Sequence, residues 1–261
     1  MSSISINSSC QWIKQQIYSF CSSVVFYTVI PLPWQWTGEW QRIARWSPLI
    51  GLIIGGLLGL INTIGQSFGI PTLTRSAILV ALWVGITGGL HLDGAMDTAD
   101  GLSVNDPERR LSVMRDSATG AFGAIAAIII LLLKICAIYD LDAHLWFVLM
   151  FAAGWGRWGQ VMAIALYPYL RETGKGALHK ENLRSPQDIL WGLLILLLFS
   201  SLSWQWLQWW QVILAIGGSS AIALLTGYWF DKQLQGHTGD TYGAVVEWTE
   251  AFILCYLTAF N

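Results

Sequence analysis

The chain has 261 residues, of which 54% are hydrophobic and only 11% are charged, whereas a soluble domain carries about 25% charged residues. The net charge of −2 leaves no basic surface of the kind that nucleic acid requires. Composition therefore excludes a soluble enzyme, a nucleic-acid-binding protein, a disordered chain and, since its four cysteines form no CxxC pair, a disulfide-rich scaffold. It predicts an all-α, polytopic membrane protein.

Stretches of about 20 mostly apolar residues, the length that crosses a bilayer, follow one another along the chain. We predict a helical bundle of seven or eight transmembrane helices that forms a single domain, residues 1–261. The first segment, 12–33, is rich in serine and ends at prolines, so it either spans the membrane or lies half-inserted in it. The other predicted spans are 47–68, 71–91, 118–139, 144–169, 189–207, 210–230 and 244–260.

Three polar loops, at about 92–117, 170–188 and 231–243, hold most of the charge of the chain. If every segment from residue 47 onward spans, these loops share one face, and the opposite face has only Arg75 beyond the N-terminal segment. The positive-inside rule then places the polar loops in the cytoplasm. The expected location of the protein is the cell inner membrane. The cations on this face are Arg42, Arg45, Arg109, Arg110, Arg115, Arg171, Lys175, Lys180, Arg184 and Lys232.

The stretch GGLHLDGAMDTADG carries three aspartates at the spacing i, i+4, i+7. On a helix, Asp93, Asp97 and Asp100 fall within about 60° of one face. Three like charges on neighbouring turns repel each other unless a cation binds them, and carboxylate oxygens are the ligands that Mg²⁺ prefers. The alternative interpretation is a solvated acidic turn at a membrane exit.

The same stretch also contains glycines and a histidine that are relevant to a binding site. Gly94 and Gly101 are interpreted as leaving room for a bulky anion to approach the backbone. His91 projects about 160° away from the aspartates on the same helix, so it is a poor metal ligand unless the helix breaks at Gly94. A hydrogen-bonding or substrate-contacting role and a purely structural role both stay open for it.

The next polar stretch, ERRLSVMRDSATGAFG, precedes a predicted span. Guanidinium groups bind phosphate oxygens in bidentate fashion, so Arg109, Arg110 and Arg115 are candidate phosphate ligands. Asp116 either caps the following helix or supplies a fourth carboxylate to a metal site.

Charged residues also occur within predicted spans. Arg157 lies in GWGRWG, and because a buried arginine in a membrane needs a polar partner, it either binds a substrate phosphate or pairs with Glu247 or Glu250. Lys134 lies near the end of its span and is expected to extend to the interface. Asp240 lies in GHTGDTYGA, a glycine-rich turn whose backbone N–H groups form a weak candidate anion site.

Three of these stretches together resemble the signature regions of the cobalamin synthase family, the adenosylcobinamide-GDP ribazoletransferases. They are GGLHLDGAMDTADGL, ERRLSVMRDSATGAFG and GHTGDTYGAVVEWTEA, and the similarity in order and spacing runs over nearly the whole chain. The resemblance implies an enzyme that joins adenosylcobinamide-GDP to α-ribazole or α-ribazole 5′-phosphate, releases GMP and requires Mg²⁺. Carboxylates would hold the metal and accept a proton, and cations would bind the phosphates.

These roles are assigned as follows. The catalytic candidates are Asp93, Asp97 and Asp100. The metal candidates are Asp93, Asp97, Asp100 and Asp116. The phosphate candidates are Arg109, Arg110, Arg115, Arg157, Lys175 and Asp240. Partners beyond the two substrates and the lipid bilayer are not indicated, and the sequence leaves open whether the chain acts alone or as a homo-oligomer.

Two alternative functions are weighed against this one. The segment from Asp97 to Gly101 matches the D-x-x-D-G opening of CDP-alcohol phosphotransferases, but Val104 and Asn105 stand where that signature has Ala and Arg. A transporter is the second alternative, although the chain shows no internal repeat of the kind that many transporters contain. Ion flux in proteoliposomes without GMP release would identify a transporter.

Overall fold

The computed structural model describes residues 3–141 and 144–260, with side chains from Gln11 onward. Within these ranges the regular structure is helical apart from one isolated β-bridge, which confirms the all-α prediction. The α-helices of the described chain are α1 Ser3–Tyr27, α2 Ser47–Ser67, α3 Thr72–Ile86, α4 Leu90–Leu102, α5 Pro107–Val113, α6 Ala121–Asp140, α7 Leu145–Leu166, α8 Lys175–Asn182, α9 Gln187–Ser200, α10 Trp209–Leu234 and α11 Gly239–Leu257. Short 3₁₀ helices occupy Trp34–Trp36, Ile43–Trp46, Ser201–Gln205 and Thr258–Phe260.

Several helices are long and apolar enough to cross a membrane. Within the described residues there are five: Ile43–Ser67, Ala121–Asp140, Gln187–Gln205, Trp209–Leu234 and Gly239–Phe260. The pair α3 and α4 makes a sixth if its two helices, bent by 90° from each other, count as one span. The predicted number of seven or eight is approximate, because it also counts the N-terminal segment and α7, whose arginine, glutamine and glycines lower its hydropathy.

Helix α7 is the centre of the bundle and is buried along most of its length. Its closest neighbour is α2, which presents Gly51, Gly55 and Gly59 to it at intervals of four residues. A Cβ atom at any of these glycines would lie within 3 Å of α7 atoms between Trp146 and Ala153. Small residues at this spacing let two membrane helices approach closely, so this glycine seam fixes α2 against α7.

The other sides of α7 pack on α9, α10 and α11, and α11 in turn packs on α4. At the polar end of α7 the chain is held by backbone contacts: a parallel β-bridge joins Tyr169 to His237, and the Leu170 N–H donates to the His237 carbonyl at 2.8 Å. Lys180 donates to the carbonyls of Ile164 and Tyr167, both at 2.7 Å, where unpaired carbonyls end the helix. These contacts bring the polar loops together at one end of the bundle.

Two segments predicted as loops contain helices. Most of α4 and all of α5 lie within 92–117, and α8 lies within 170–188. Cys21, Cys136 and Cys255 are free thiols, as expected, and Cys10 lies outside the described side chains.

Candidate active site at the crossing of α4 and α11

The aspartates of the GGLHLDGAMDTADG stretch lie on α4, which confirms the predicted helix. Two glycines form the bend that starts it: Gly88 and Gly89 have φ values of 61° and 70°, in the left-handed region that glycine enters without a steric penalty. The chain therefore turns by 90° between α3 and α4. This turn directs α4 across the polar end of α11.

Helix α4 approaches its neighbours closely at its glycines. A Cβ atom on Gly94 would lie 2.6 Å from the Asp240 carbonyl oxygen at the start of α11, and one on Gly101 would lie 3.0 Å from the Arg110 carbonyl oxygen. At both glycines protein atoms fill the place that a side chain would take; the approach of an anion to Gly94, which lines the cavity described below, stays a prediction. Their lack of a side chain is used for packing, because α11 and α5 occupy the positions next to them.

The three aspartates of α4 lie in different environments. Asp93 is exposed, Asp97 is half-buried and Asp100 is buried. Burial, and then the negative charges of Asp93, Asp240 and Asp100, raise the pKa of Asp97 to about 6. Like charges that face each other in this way disfavour ionisation, so a cation bound among them would be stabilising.

Asp100 caps α6 from a different helix. Its two carboxylate oxygens accept hydrogen bonds from the backbone N–H groups of Gly120 and Gly123, both at 2.8 Å. These N–H groups have no partner within α6, and a carboxylate at this end also interacts favourably with the helix dipole. The alternative in which Asp116 caps α6 is wrong, because Asp116 is exposed and accepts a hydrogen bond from the Ala118 N–H at 3.1 Å.

A substitution at Gly123 tests this cap. A Cβ atom there would collide with the Asp100 carboxylate and lie 2.9 Å from the Met96 carbonyl oxygen. We expect Gly123→Ala to lower the free energy of unfolding by about 1–3 kcal/mol, as overpacking does, which thermal unfolding in detergent will measure. The control is Gly85→Ala in α3, where no atom lies within 4 Å of the new Cβ and alanine favours the helix. Equal unfolding temperatures for the two variants would contradict the cap.

The three arginines around α5 differ in their contacts. Arg110 donates to the Gln233 carbonyl at 2.7 Å and to the Val104 carbonyl at 3.1 Å, so it joins the end of α4 to the end of α10. The side chains of Arg109 and Arg115 are exposed and have no hydrogen bond or ion pair with the described residues. Those two are available to an anion, whereas Arg110 is engaged.

A cavity of about 210 Å³ lies where α4, α8, α11 and the loop before α8 meet. Its rim is charged: the Arg171 guanidinium pairs with Asp240, with 2.6 Å between Nη2 and Oδ2, and Asp93 and Lys175 line the cavity beside them. Arg171 also lies 3.4 Å from the Met114 carbonyl oxygen, which brings the turn before α6 close. The structure thus brings together three predicted residues, Asp93, Lys175 and Asp240.

The inner wall of the cavity is uncharged. His91, His179, Gln160 and Tyr242 line it, and each is at most 4% exposed. Both ring nitrogens of each histidine, the Gln160 Oε1 and the Tyr242 Oη have no hydrogen-bond partner among the described residues. Buried polar atoms usually have one, so this wall presents donors and acceptors that the protein itself does not use.

Arg157 lies outside the lining of this cavity, in a buried network of charges. It donates to Glu250 and to the Ala153 carbonyl, so of the two roles left open for it, the structure favours the ion pair. The Lys134 Nζ lies 2.6 Å from a carboxylate oxygen of both Glu247 and Glu250. The expectation that Lys134 extends to the interface is therefore wrong: it is 1% exposed, because two carboxylates hold it inside the bundle.

The described residues contain no group of three or more His, Cys, Asp and Glu side chains placed to hold a metal ion by themselves. The carboxylates of Asp93 and Asp97 accept no hydrogen bond from the described chain. Mg²⁺ is usually bound by one or two protein carboxylates, with water and substrate phosphates in the remaining positions. This pair of aspartates fits such a substrate-bridged ion and does not fit a site made by the protein alone.

Four residues of the cavity were not among the predicted site residues: Arg171, His179, Gln160 and Tyr242. Arg171 could have been identified from the sequence, since it is a cation that directly follows a predicted span. Gln160 could have been identified as well, because a polar amide within an apolar segment usually faces a cavity. His179 and Tyr242 had no local signal, because their place in the wall depends on how α8 and α11 pack.

Comparison with known proteins assigns a family to this arrangement. The family model described as Cobalamin-5-phosphate synthase matches residues 19–258. A protein of Trichormus variabilis named adenosylcobinamide-GDP ribazoletransferase is 57% identical over 248 residues, which cover 94% of this chain and 98% of that protein. A protein of the same name from Synechocystis sp. is 47% identical and covers 91% of this chain and 93% of its own length. Another, from Prochlorococcus marinus, is 36% identical and covers 95% of this chain and 96% of its own length. No solved structure matches the chain.

Proposed function

The chain belongs to the cobalamin-5-phosphate synthase family and is a transferase of cobalamin synthesis, and from this premise we propose its reaction in detail. The proposed enzyme joins adenosylcobinamide-GDP to α-ribazole, or to α-ribazole 5′-phosphate, and releases GMP in the presence of Mg²⁺. The product is adenosylcobalamin or its 5′-phosphate. The family match decides against the phosphotransferase and transporter alternatives that the sequence left open.

The observation that carries the chemical part of this proposal is the cavity between α4, α8 and α11. Its rim combines the carboxylates of Asp93 and Asp240 with the guanidinium group of Arg171. The negative charges of both aspartates contribute to the raised pKa of Asp97. Transfer at phosphorus requires positioned cations and little covalent chemistry by the protein. A charged rim of this kind supports such a reaction.

In the proposed reaction, a ribose hydroxyl oxygen of the acceptor forms a bond to the phosphorus next to cobinamide. The bond from this phosphorus to the bridging oxygen breaks, and GMP leaves with that oxygen. The hydroxyl proton passes to a carboxylate of α4, while Arg171 and Lys175 stabilise negative charge on the phosphate oxygens. Mg²⁺ held by Asp93, Asp97 and the diphosphate would supply further charge neutralisation.

The remaining predicted residues divide by their contacts. Arg109 and Arg115 are proposed to bind the diphosphate, because they are exposed and free of partners in the described chain. The carboxylates of Asp100 and Asp116 each accept a backbone hydrogen bond. We therefore do not assign them to the metal ion in the proposed reaction, and their role as metal ligands stays a prediction. Arg110 likewise stays a prediction as a phosphate ligand.

The orientation of the chain belongs to the proposal as well. We place the charged rim of the cavity on the cytoplasmic side of the inner membrane. The cations of the polar loops support this orientation, because positively charged loops are retained in the cytoplasm. Water-soluble substrates such as α-ribazole 5′-phosphate would then reach the cavity without crossing the bilayer.

A direct assay tests the proposal. Purified protein in detergent is incubated with adenosylcobinamide-GDP and α-ribazole 5′-phosphate, with Mg²⁺ or with a chelator, and GMP is measured by chromatography. We expect GMP to appear in equal amount to the new corrinoid when Mg²⁺ is present, and both to be lost with the chelator. GMP release that does not depend on the acceptor, or equal rates with the chelator, would contradict the proposed reaction.

A further inference from the structure

The cavity has two chemically different ends. The rim, with Asp93, Arg171, Lys175 and Asp240, is charged and suits phosphates and a metal ion. The inner wall, with His91, His179, Gln160 and Tyr242, offers hydrogen-bonding atoms without net charge. A ligand that is complementary to both ends therefore has an anionic part and an uncharged, hydrogen-bonding part.

A third histidine provides a comparison for the two in the inner wall. His237 is fully buried, and both of its ring nitrogens have partners: Nδ1 lies 3.0 Å from the Thr241 hydroxyl and Nε2 lies 3.1 Å from the Gly227 carbonyl oxygen. His91 and His179 are buried to almost the same degree, yet neither nitrogen of either ring has a partner among the described residues. Leaving such atoms unpaired in a core is costly, so their partner is expected to come from a ligand.

The state of His179 specifies what kind of ligand this is. Burial lowers the pKa of His179 to about 4, so the imidazole is neutral near pH 7 and carries one donor and one acceptor. The ring is held by aromatic neighbours, with Tyr27 stacked on it at 5.9 Å between ring centroids and Phe26 edge-on at 4.7 Å. A neutral imidazole in an aromatic setting fits an uncharged heterocycle or a hydroxyl group better than it fits a phosphate.

The size of the cavity limits which part of a substrate can enter it. At about 210 Å³ it is smaller than the roughly 300 Å³ at which sites for drug-sized ligands begin. A corrinoid macrocycle is far too large for it, whereas one fused ring system or a ribose is of suitable size. The inner end therefore suits a nucleoside, and kinetics with each substrate varied separately distinguish the nucleoside of the acceptor from the guanosine of adenosylcobinamide-GDP.

We propose that His91, His179, Gln160 and Tyr242 form the binding site for the uncharged nucleoside of the acceptor. This inference rests on the proposed function and deepens it. The heterocycle or the ribose hydroxyl groups hydrogen-bond to the inner wall, and the attacking hydroxyl group then lies toward the charged rim. His179 acts there as a neutral hydrogen-bonding group.

The test compares variants of His179 in steady-state kinetics with each substrate varied in turn. His179→Phe keeps a ring between Tyr27 and Phe26 but removes both nitrogens. We expect it to raise the KM for α-ribazole about 10- to 100-fold, which corresponds to the loss of one or two hydrogen bonds, and to leave the KM for adenosylcobinamide-GDP unchanged. His179→Gln keeps a donor and an acceptor and is expected to recover much of the affinity.

The control is His144→Asn at the opposite end of α7, where the exposed ring stacks on Trp206 and asparagine tolerates the left-handed backbone. It should change neither KM. Equal increases in both KM values for His179→Phe, or no change in either, would overturn the inference. In that case GMP release by the wild type would still support the proposed function. If the wild type releases no GMP, the proposed function fails, and calorimetric titration of wild type and His179→Phe with α-ribazole decides the inference separately.

Discussion

Replacement of Asp97 by asparagine is expected to abolish transfer while leaving the fold intact. Burial, and then the negative charges of Asp93, Asp240 and Asp100, raise the pKa of Asp97 to about 6. Its carboxylate is a proposed metal ligand, and asparagine can neither neutralise Mg²⁺ nor accept a proton. We expect the rate of GMP release to fall by about 10³-fold, within the range lost when a catalytic acid or base is removed. Because the substitution also removes like-charge repulsion, the unfolding temperature should stay the same or rise.

A matched substitution separates this effect from a general loss of acidic charge. Asp106→Asn alters an exposed aspartate that caps the short helix α5 by accepting a hydrogen bond from the Glu108 N–H at 3.1 Å. It should leave the rate of GMP release within about twofold, since asparagine is an equally good cap. Near-normal turnover by Asp97→Asn, in protein that is correctly inserted, would refute the role of Asp97.

The largest loss of stability is expected when the buried charge network is left unbalanced. Lys134 contacts Glu247 and Glu250 at 2.6 Å and lies over the Trp83 ring at 4.6 Å from the centroid. Lys134→Met leaves Glu247 as a buried carboxylate without its cation. Removing one partner of a buried pair costs about 3–5 kcal/mol, which should appear as a lower unfolding temperature in detergent and a lower yield of folded protein.

The double variant Lys134→Met/Glu247→Leu shows whether the loss comes from charge. It removes one charge of each sign and leaves the pair of Arg157 and Glu250 in place, so it should regain most of the stability, because apolar replacement of a buried pair is often neutral. Lys232→Met, an exposed position in α10, serves as the control for loss of a lysine. A double variant as unstable as Lys134→Met would show that packing, and not charge, is responsible.

The membrane bundle could be predicted from the sequence because lipid-facing helices leave a strong signal in hydropathy. Helix α7 shows where this signal weakens. It is surrounded by other helices, so it can carry Arg157, Gln160 and several glycines that a lipid-facing helix would not contain. A helix of this kind is the centre of the bundle, yet by hydropathy it resembles a marginal span.

The parts of the site that could be predicted are those whose residues lie close together in the sequence. The spacing of Asp93, Asp97 and Asp100 predicted a shared helix, and the structure confirms that helix. That Asp100 caps α6 could not be predicted, because its partners are backbone groups with no sequence signature. The pairing of Arg171 with Asp240 was also out of reach, since it depends on how distant loops meet.

The glycine seam between α2 and α7 has a consequence for the order in which the protein assembles. During synthesis α2 leaves the ribosome first, and α3 to α6 are completed before the partner stretch from Trp146 to Ala153 exists. Until then Gly51, Gly55 and Gly59 can only be covered by acyl chains or by a temporary neighbour. Helix α7 must therefore reach α2 before this side of the bundle can pack, and α8 to α11, which follow α7 in the chain, then complete the bundle and the cavity.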